Sequence, residues 1–236
     1  MPPEKSRNAN DRLSGRAGRG FSDQLRASCE VDWRRAHEEH PFVQAMGDGS
    51  LSLARFSSYM RQDYLFLIDY CRALAIASAK SPDLASMGHF AGLLDETLNS
   101  EMELHRGFCS DLGITAAELE ATNPEAATVA YTDHLLRTAY DGSIEELAAA
   151  LLPCQWGYDA VGRLLEHRVR PDPDSFHSRW VAGYCAPEYR KLTEWLKGFV
   201  DEIGAVAPAE KQRRMQGAFR ASTRYEYLFW DAAWGG

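Results

Sequence analysis

The sequence predicts an all-α fold, a bundle of about eight helices in one domain. Three observations predict it. Apolar residues recur every three or four positions throughout. No segment alternates apolar and polar residues at a period of two for long enough to form a strand. The helical stretches are separated by short runs of capping residues, glycine and proline, and helices joined this way pack as bundles. With 236 residues, 45% hydrophobic and 25% charged, the chain can bury one substantial core.

The elements follow in order. A first helix is expected after Ser22, a capping residue, running past Trp33 towards Met46 until the turn Gly47-Asp48-Gly49-Ser50. Phe56, Met60, Asp63, Leu67, Tyr70 and Leu74 mark a long second helix ending near Lys80. Ser81-Pro82 reads as an N-cap with proline at the first helical position, opening a helix to about Gly113. Thr115 with Glu118 has capping-box spacing. Asn123-Pro124 opens a helix that Gly142 closes, and Ser143 with Glu146 is a second capping box, starting the helix of Cys154. Pro153 predicts a kink or break there. Further helices are expected over about 173–186, 188–203 and 208–234.

Residues 1–20, rich in Arg and Gly with no apolar core, read as a disordered tail, leaving 21–236 as the helical domain. They carry no signal-peptide pattern, and Glu4 and Asp11 argue against a transit peptide. No apolar run is long enough to span a membrane. A net charge of -8 argues against nucleic-acid or anionic-membrane partners. The five cysteines, widely spaced and without CxxC, read as free thiols in a reducing cytoplasm.

Three helices carry polar groups on apolar stripes. Asp63 sits one turn before Phe66. Cys154 lies on the stripe Leu147, Leu151, Cys154, Tyr158, Val161, Leu165. Glu226 lies on the stripe Phe219, Ser222, Glu226, Phe229, Ala233. A buried carboxylate is costly without partners, so these point to a polar pocket within the bundle. Aromatic walls suit a flat ring, and carboxylates suit the nitrogens of a heterocycle. Against this stand plain structural readings: cysteine as a small core residue, the acids as structural hydrogen-bonding groups, the rings as packing. Periodicity alone ends at a helical bundle with an internal polar site.

The motifs go further. His40-Pro41-Phe42-Val43 followed by Gly49 and Leu51, Tyr59 through Gln62-Asp63-Tyr64, Glu101-Met102-Glu103-Leu104-His105, Tyr131, Leu152-Pro153-Cys154-Gln155-Trp156-Gly157-Tyr158, Trp180 to Tyr184 and Tyr225-Glu226-Tyr227-Leu228-Phe229-Trp230-Asp231 occur in the order found in the TenA/thiaminase II family. The sequence resembles that family from Phe21 to its C-terminus. The resemblance implies a haem-oxygenase-like helical fold, a homotetramer with no metal or cofactor, and hydrolysis of thiamin or of 4-amino-5-aminomethyl-2-methylpyrimidine to the hydroxymethyl compound in thiamin salvage. By motif, Cys154 is the nucleophile and Glu226 the acid/base. Asp63 binds the aminopyrimidine edge. Tyr131 and Tyr158 line the pocket and support the thiol, Phe66 and Phe229 pack on the ring, and Tyr184 is a further pocket residue.

Two positions depart from the pattern. Phe66 stands where tyrosine is common, which removes a hydroxyl, and Gly157 is unusual beside the cysteine. Two other classes remain open. A di-iron oxygenase would use Glu-x-x-His-type ligands, but only Glu101 and His105 approach that spacing, and they read as a surface or interface pair. A non-catalytic helical regulator would make the cysteine and both acids accidental core residues.

Overall fold

The computed structural model describes residues 20–168 and 174–235. The tail expected over 1–20 falls, but for Gly20, outside them. Twelve α-helical segments and one π-helical turn make up the described chain, more than the eight helices expected.

The difference arises where one periodic stretch becomes several helices. The expected first helix is three: α1 (Phe21–Ser28), α2 (Glu30–His37) and α3 (Pro41–Asp48). Cys29 leaves helical geometry between the first two, at φ -133 and ψ 32. Pro41 forces His40 into extended backbone, and the His40 ring caps α3 by accepting from the Phe42 amide at 3.2 Å. Ser22 is no cap. It is buried, and its amide donates to Asp201 at 2.6 Å, so a carboxylate from elsewhere in the chain covers the start of α1.

α4 (Leu53–Lys80) is the expected long helix, capped by Ser52. Ser81 closes α4 rather than opening the next helix. Asp83 is the N-cap of α5 (Leu84–Glu96), accepting from the Ser86 amide at 2.8 Å. The expected helix to Gly113 is interrupted by a π-helical turn (Thr97–Glu101), after which α6 (Met102–Asp111) follows. Gly113 then turns the chain at φ 73, a conformation that favours glycine. The Thr115–Glu118 capping box forms at the head of α7 (Ala116–Glu120).

α8 (Ala126–Asp141) closes at Gly142, and α9 (Ile144–Glu166) carries Cys154. Ser143 and Glu146 meet side chain to side chain at 3.3 Å, without the side-chain bond to backbone of a full capping box. α9 continues through Pro153 without the expected break. Every residue from Leu147 to Asp159 is buried, so packing on all sides outweighs the one intrahelical bond that proline removes. α10 (Phe176–Tyr184), α11 (Pro187–Val206) and α12 (Ala209–Gly235) complete the chain. The helix expected from about 173 begins at Phe176; residue 173 lies outside the described residues.

α9 is the axis of the bundle. It packs against α12, α11, α10 and α8, and α4 crosses between α8 and α5. Asp63, Cys154 and Glu226 thus project from three different helices into one interior. Among the described residues no helix is long and apolar enough to cross a membrane.

Candidate active site

Each polar group on an apolar stripe is buried. Asp63 is 3% exposed, Cys154 7% and Glu226 2%. Seven of the eight residues singled out from the sequence, all but Cys154, are joined by direct contacts into two linked groups. Phe66 lies 4.8 Å from Tyr131 and 5.7 Å from Phe229, ring to ring, and the Tyr131 hydroxyl donates to Glu226 Oε1 at 2.6 Å. Tyr158 lies 4.7 Å from Tyr184. Tyr59 links the groups: its ring meets Phe229 at 6.2 Å, and its hydroxyl lies 3.3 Å from that of Tyr158.

Asp63 is held by groups that the stripes did not reveal. Its Oδ2 accepts from the Tyr59 hydroxyl at 2.8 Å and pairs with His105 Nε2 at 2.5 Å. His105 Nδ1 lies 2.8 Å from the Glu101 carbonyl. A carbonyl only accepts, so Nδ1 carries hydrogen, and Nε2 donates to the carboxylate: His105 sits as the cation. Burial opposes that charge, but Asp63 and then Glu101 outweigh it and raise the His105 pKa. Both bonds to Asp63 use Oδ2, so Oδ1 is the oxygen left to meet a ligand.

The other titrations are dominated by burial. Glu226 is pushed up to about 8, with the Tyr131 bond pulling down and Asp63 adding to the rise. It is therefore mostly a neutral acid at pH 7. The Cys154 thiol is raised well above its ordinary value by burial and then by Glu226, Glu101 and Asp63. The resting sulfur is a thiol. The Tyr131 hydroxyl donates to Glu226, and the Tyr158 hydroxyl lies 3.3 Å from that of Tyr59. The Tyr70 hydroxyl is instead buried with no hydrogen-bond partner. Its ring stacks on Phe66 at 5.7 Å, and Cys154 is the ionisable group that acts on it most strongly.

Residues 26–236 match the TENA/THI-4/PQQC family. The chain belongs to this family. It is 39% identical over 214 residues to an aminopyrimidine aminohydrolase of Halalkalibacterium halodurans, covering 91% of this chain and 95% of that one. Among solved structures it resembles a TenA homologue from P. horikoshii OT3, with TM-score 0.84, 30% identity and coverage of 92% and 100%. A domain of unknown function with a haem-oxygenase-like fold from Shewanella denitrificans superposes with TM-score 0.71 at 14% identity, covering 90% and 91%. The fold is haem-oxygenase-like.

Within this TENA/THI-4/PQQC chain, both departures find a physical setting. Gly157 packs against the buried His37 ring, where an added Cβ would collide with it. Phe66 lacks a hydroxyl, yet Tyr70, one turn along the same face of α4, carries one. Glu101 and His105 are not a surface pair. His105 is 1% exposed on Asp63, and Glu101 Oε1 accepts from the Tyr184 hydroxyl at 3.1 Å. Tyr59, Tyr70, Glu101, His105 and Trp180, whose indole N–H donates to Tyr59 at 3.3 Å, border the candidate residues without having been singled out as such, although Tyr70 stands on the apolar stripe of α4. Their signal was present for Tyr59, which stands one turn before Asp63. Among the described residues, no group of three or more His, Cys, Asp and Glu side chains is placed to hold a metal ion.

Proposed function

We propose that the chain is an aminopyrimidine aminohydrolase. It converts 4-amino-5-aminomethyl-2-methylpyrimidine, and thiamin, to the hydroxymethylpyrimidine in thiamin salvage. The observation that carries this reading is that Asp63 and Glu226, from two helices, are buried among Phe66, Tyr131, Tyr158 and Phe229, with Cys154, from a third, buried within electrostatic reach of both. The activity named for the H. halodurans relative agrees with it.

In this reading the pyrimidine packs on Phe66 and Phe229, and Asp63 Oδ1 accepts from its amino group. His105 and Tyr59 hold the Asp63 carboxylate in place, a positioning role. Cys154 Sγ bonds to a ring carbon. As it does so, neutral Glu226 gives its proton to a ring nitrogen, and the resulting carboxylate takes the proton that the thiol loses. The electron-rich adduct then breaks the C–N bond to the leaving group. The departing nitrogen keeps the bonding pair; from the aminomethyl compound it receives a proton relayed through Glu226 from the ring nitrogen, whereas the thiazole of thiamin leaves neutral and that ring proton passes through Glu226 to water. Water adds across the exocyclic methylene, hydroxyl to carbon and hydrogen to ring nitrogen. The C–S bond breaks, the ring regains aromaticity, and that proton returns to sulfur. Amine and water have been exchanged, and the enzyme is restored.

Tyr70 supplies the hydroxyl that donates to sulfur as its charge develops. Tyr59, Tyr131 and Tyr184 each already donate to a carboxylate, whereas Tyr70 is buried, unpartnered and under the influence of Cys154. The same reading includes a cytoplasmic homotetramer that needs no cofactor. The test is release of ammonia and hydroxymethylpyrimidine when the purified chain meets the aminomethyl compound. No release would remove the proposal.

A further inference from the structure

A cavity of about 260 Å³ lies beside the Cys154 site and is used by none of the steps above. It is lined by Leu93, Leu104 and Leu192 together with Glu101, Tyr184 and Tyr189, and Glu96, Thr97 and Ser100 add further polar groups. It adjoins the reaction site directly. Gln155, the residue after Cys154, lines it, and the Tyr184 ring packs on Tyr158 at 4.7 Å. Tyr189, on its wall, lies within electrostatic reach of both Glu101 and Cys154. The π-helical turn between α5 and α6 delivers Thr97, Ser100 and Glu101 to this space, and such turns recur at functional sites.

We propose that this cavity is a leaving-group subsite that takes protonated amines carrying an apolar substituent, with the Glu101 carboxylate on the nitrogen and the three leucines around the substituent. The assignment rests on the aminohydrolase reading and extends its substrate class to N-alkyl and N-aryl aminomethylpyrimidines. Size is one ground. A water-sized molecule occupies about 30 Å³ in the liquid, so ammonia would leave most of the cavity empty. Chemistry is the other. A chamber walled by leucines with carboxylates on its lining suits an amphipathic cation. Burial pushes the Glu101 carboxyl up to about 7, with His105 and the Tyr184 bond pulling down and Asp63 adding to the rise. A cation arriving beside it favours the ionised form. When the C–N bond breaks, the nitrogen leaves with the bonding pair, gains the proton that Glu226 relays from the ring nitrogen and stays paired with Glu101 until it departs.

The experiment uses two pyrimidines that differ only in the leaving group, ammonia or benzylamine, with the parent, Leu192→Trp and Glu101→Gln. The parent should hydrolyse both with kcat/KM values within about tenfold. Leu192→Trp fills the chamber. It should lower kcat/KM for the benzylamine compound by more than about tenfold and for the ammonia compound by less than about threefold. Glu101→Gln should raise KM for both, and inhibition by free benzylamine should weaken in both variants. A parent that hydrolyses the ammonia compound but not the benzylamine one overturns the subsite while leaving the aminohydrolase reading intact. Equal losses on both compounds in Leu192→Trp, or no change on either, overturn it as well. A parent inactive on both compounds removes the reading beneath it.

Discussion

Replacing Glu226 by glutamine should change how stability depends on pH. Burial raises the Glu226 carboxyl from 4.5 to about 8. The folded state holds its proton more tightly than the unfolded chain does. This group's stabilisation is therefore fully present below about pH 4.5, shrinks as the unfolded chain ionises, and is lost once pH has risen through about 8. At 1.36 kcal/mol per pKa unit, that change is about 5 kcal/mol. The Glu226→Gln side chain would keep a hydrogen-bonding group for Tyr131 and lose the titration. Urea unfolding of parent and variant, at fixed protein concentration and at intervals from pH 5 to 9, measures the difference between them. Parent stability relative to Glu226→Gln should fall by several kcal/mol across that range, mostly below pH 8. In parallel, kcat of the parent should decline above about pH 8 as the acid ionises, and kcat of the variant should be lower by about 10²–10⁴-fold. Stability curves that run parallel within about 1 kcal/mol would refute the argument, because Glu226 would then not be a neutral acid at pH 7.

Three further outcomes are expected. Tyr70→Phe should lower kcat by roughly tenfold, the worth of a hydrogen bond to a charged group, and move Cys154 alkylation to higher pH. It should leave product affinity and the melting temperature nearly unchanged, since the lost hydroxyl has no partner in the resting site; unchanged alkylation would remove Tyr70 from the chemistry. His105→Leu leaves the Asp63 carboxylate buried without its cation, so denaturation should show a loss of about 3–5 kcal/mol and calorimetry weaker hydroxymethylpyrimidine binding; normal affinity would contradict the positioning role. Gly157→Ala drives a methyl group into His37 and should cost about 1–3 kcal/mol, whereas unchanged stability would mean that α2 yields freely.

The all-α class and the three polar stripes were legible because helical periodicity is a local property. Asp63, Cys154 and Glu226 each lie on a face that the sequence marks as inward, and all three are buried. Helix boundaries were less legible. Continuous periodicity through Trp33 hid the break at Cys29, and Ser81-Pro82 imitated an N-cap that Asp83 provides. Pro153 misled in the other direction, since its effect depends on packing that no local pattern reveals. The hidden part of the site depends on pairing between helices. His105 bonds Asp63 across 42 positions and Glu101 meets Tyr184 across 83, and nothing local distinguishes such a pair from a solvated i,i+4 pair. The orphaned Tyr70 hydroxyl likewise emerges only from an account of every buried donor.

The central claim is that Cys154 attacks the pyrimidine. The most direct test is a side-by-side measurement of hydroxymethylpyrimidine formed from the aminomethyl compound by the parent and by Cys154→Ser, with folding of the variant checked by its circular dichroism. The account predicts product from the parent and none above background from Cys154→Ser, with the compound still bound by the variant. Turnover by Cys154→Ser at the parent rate would contradict the covalent mechanism outright.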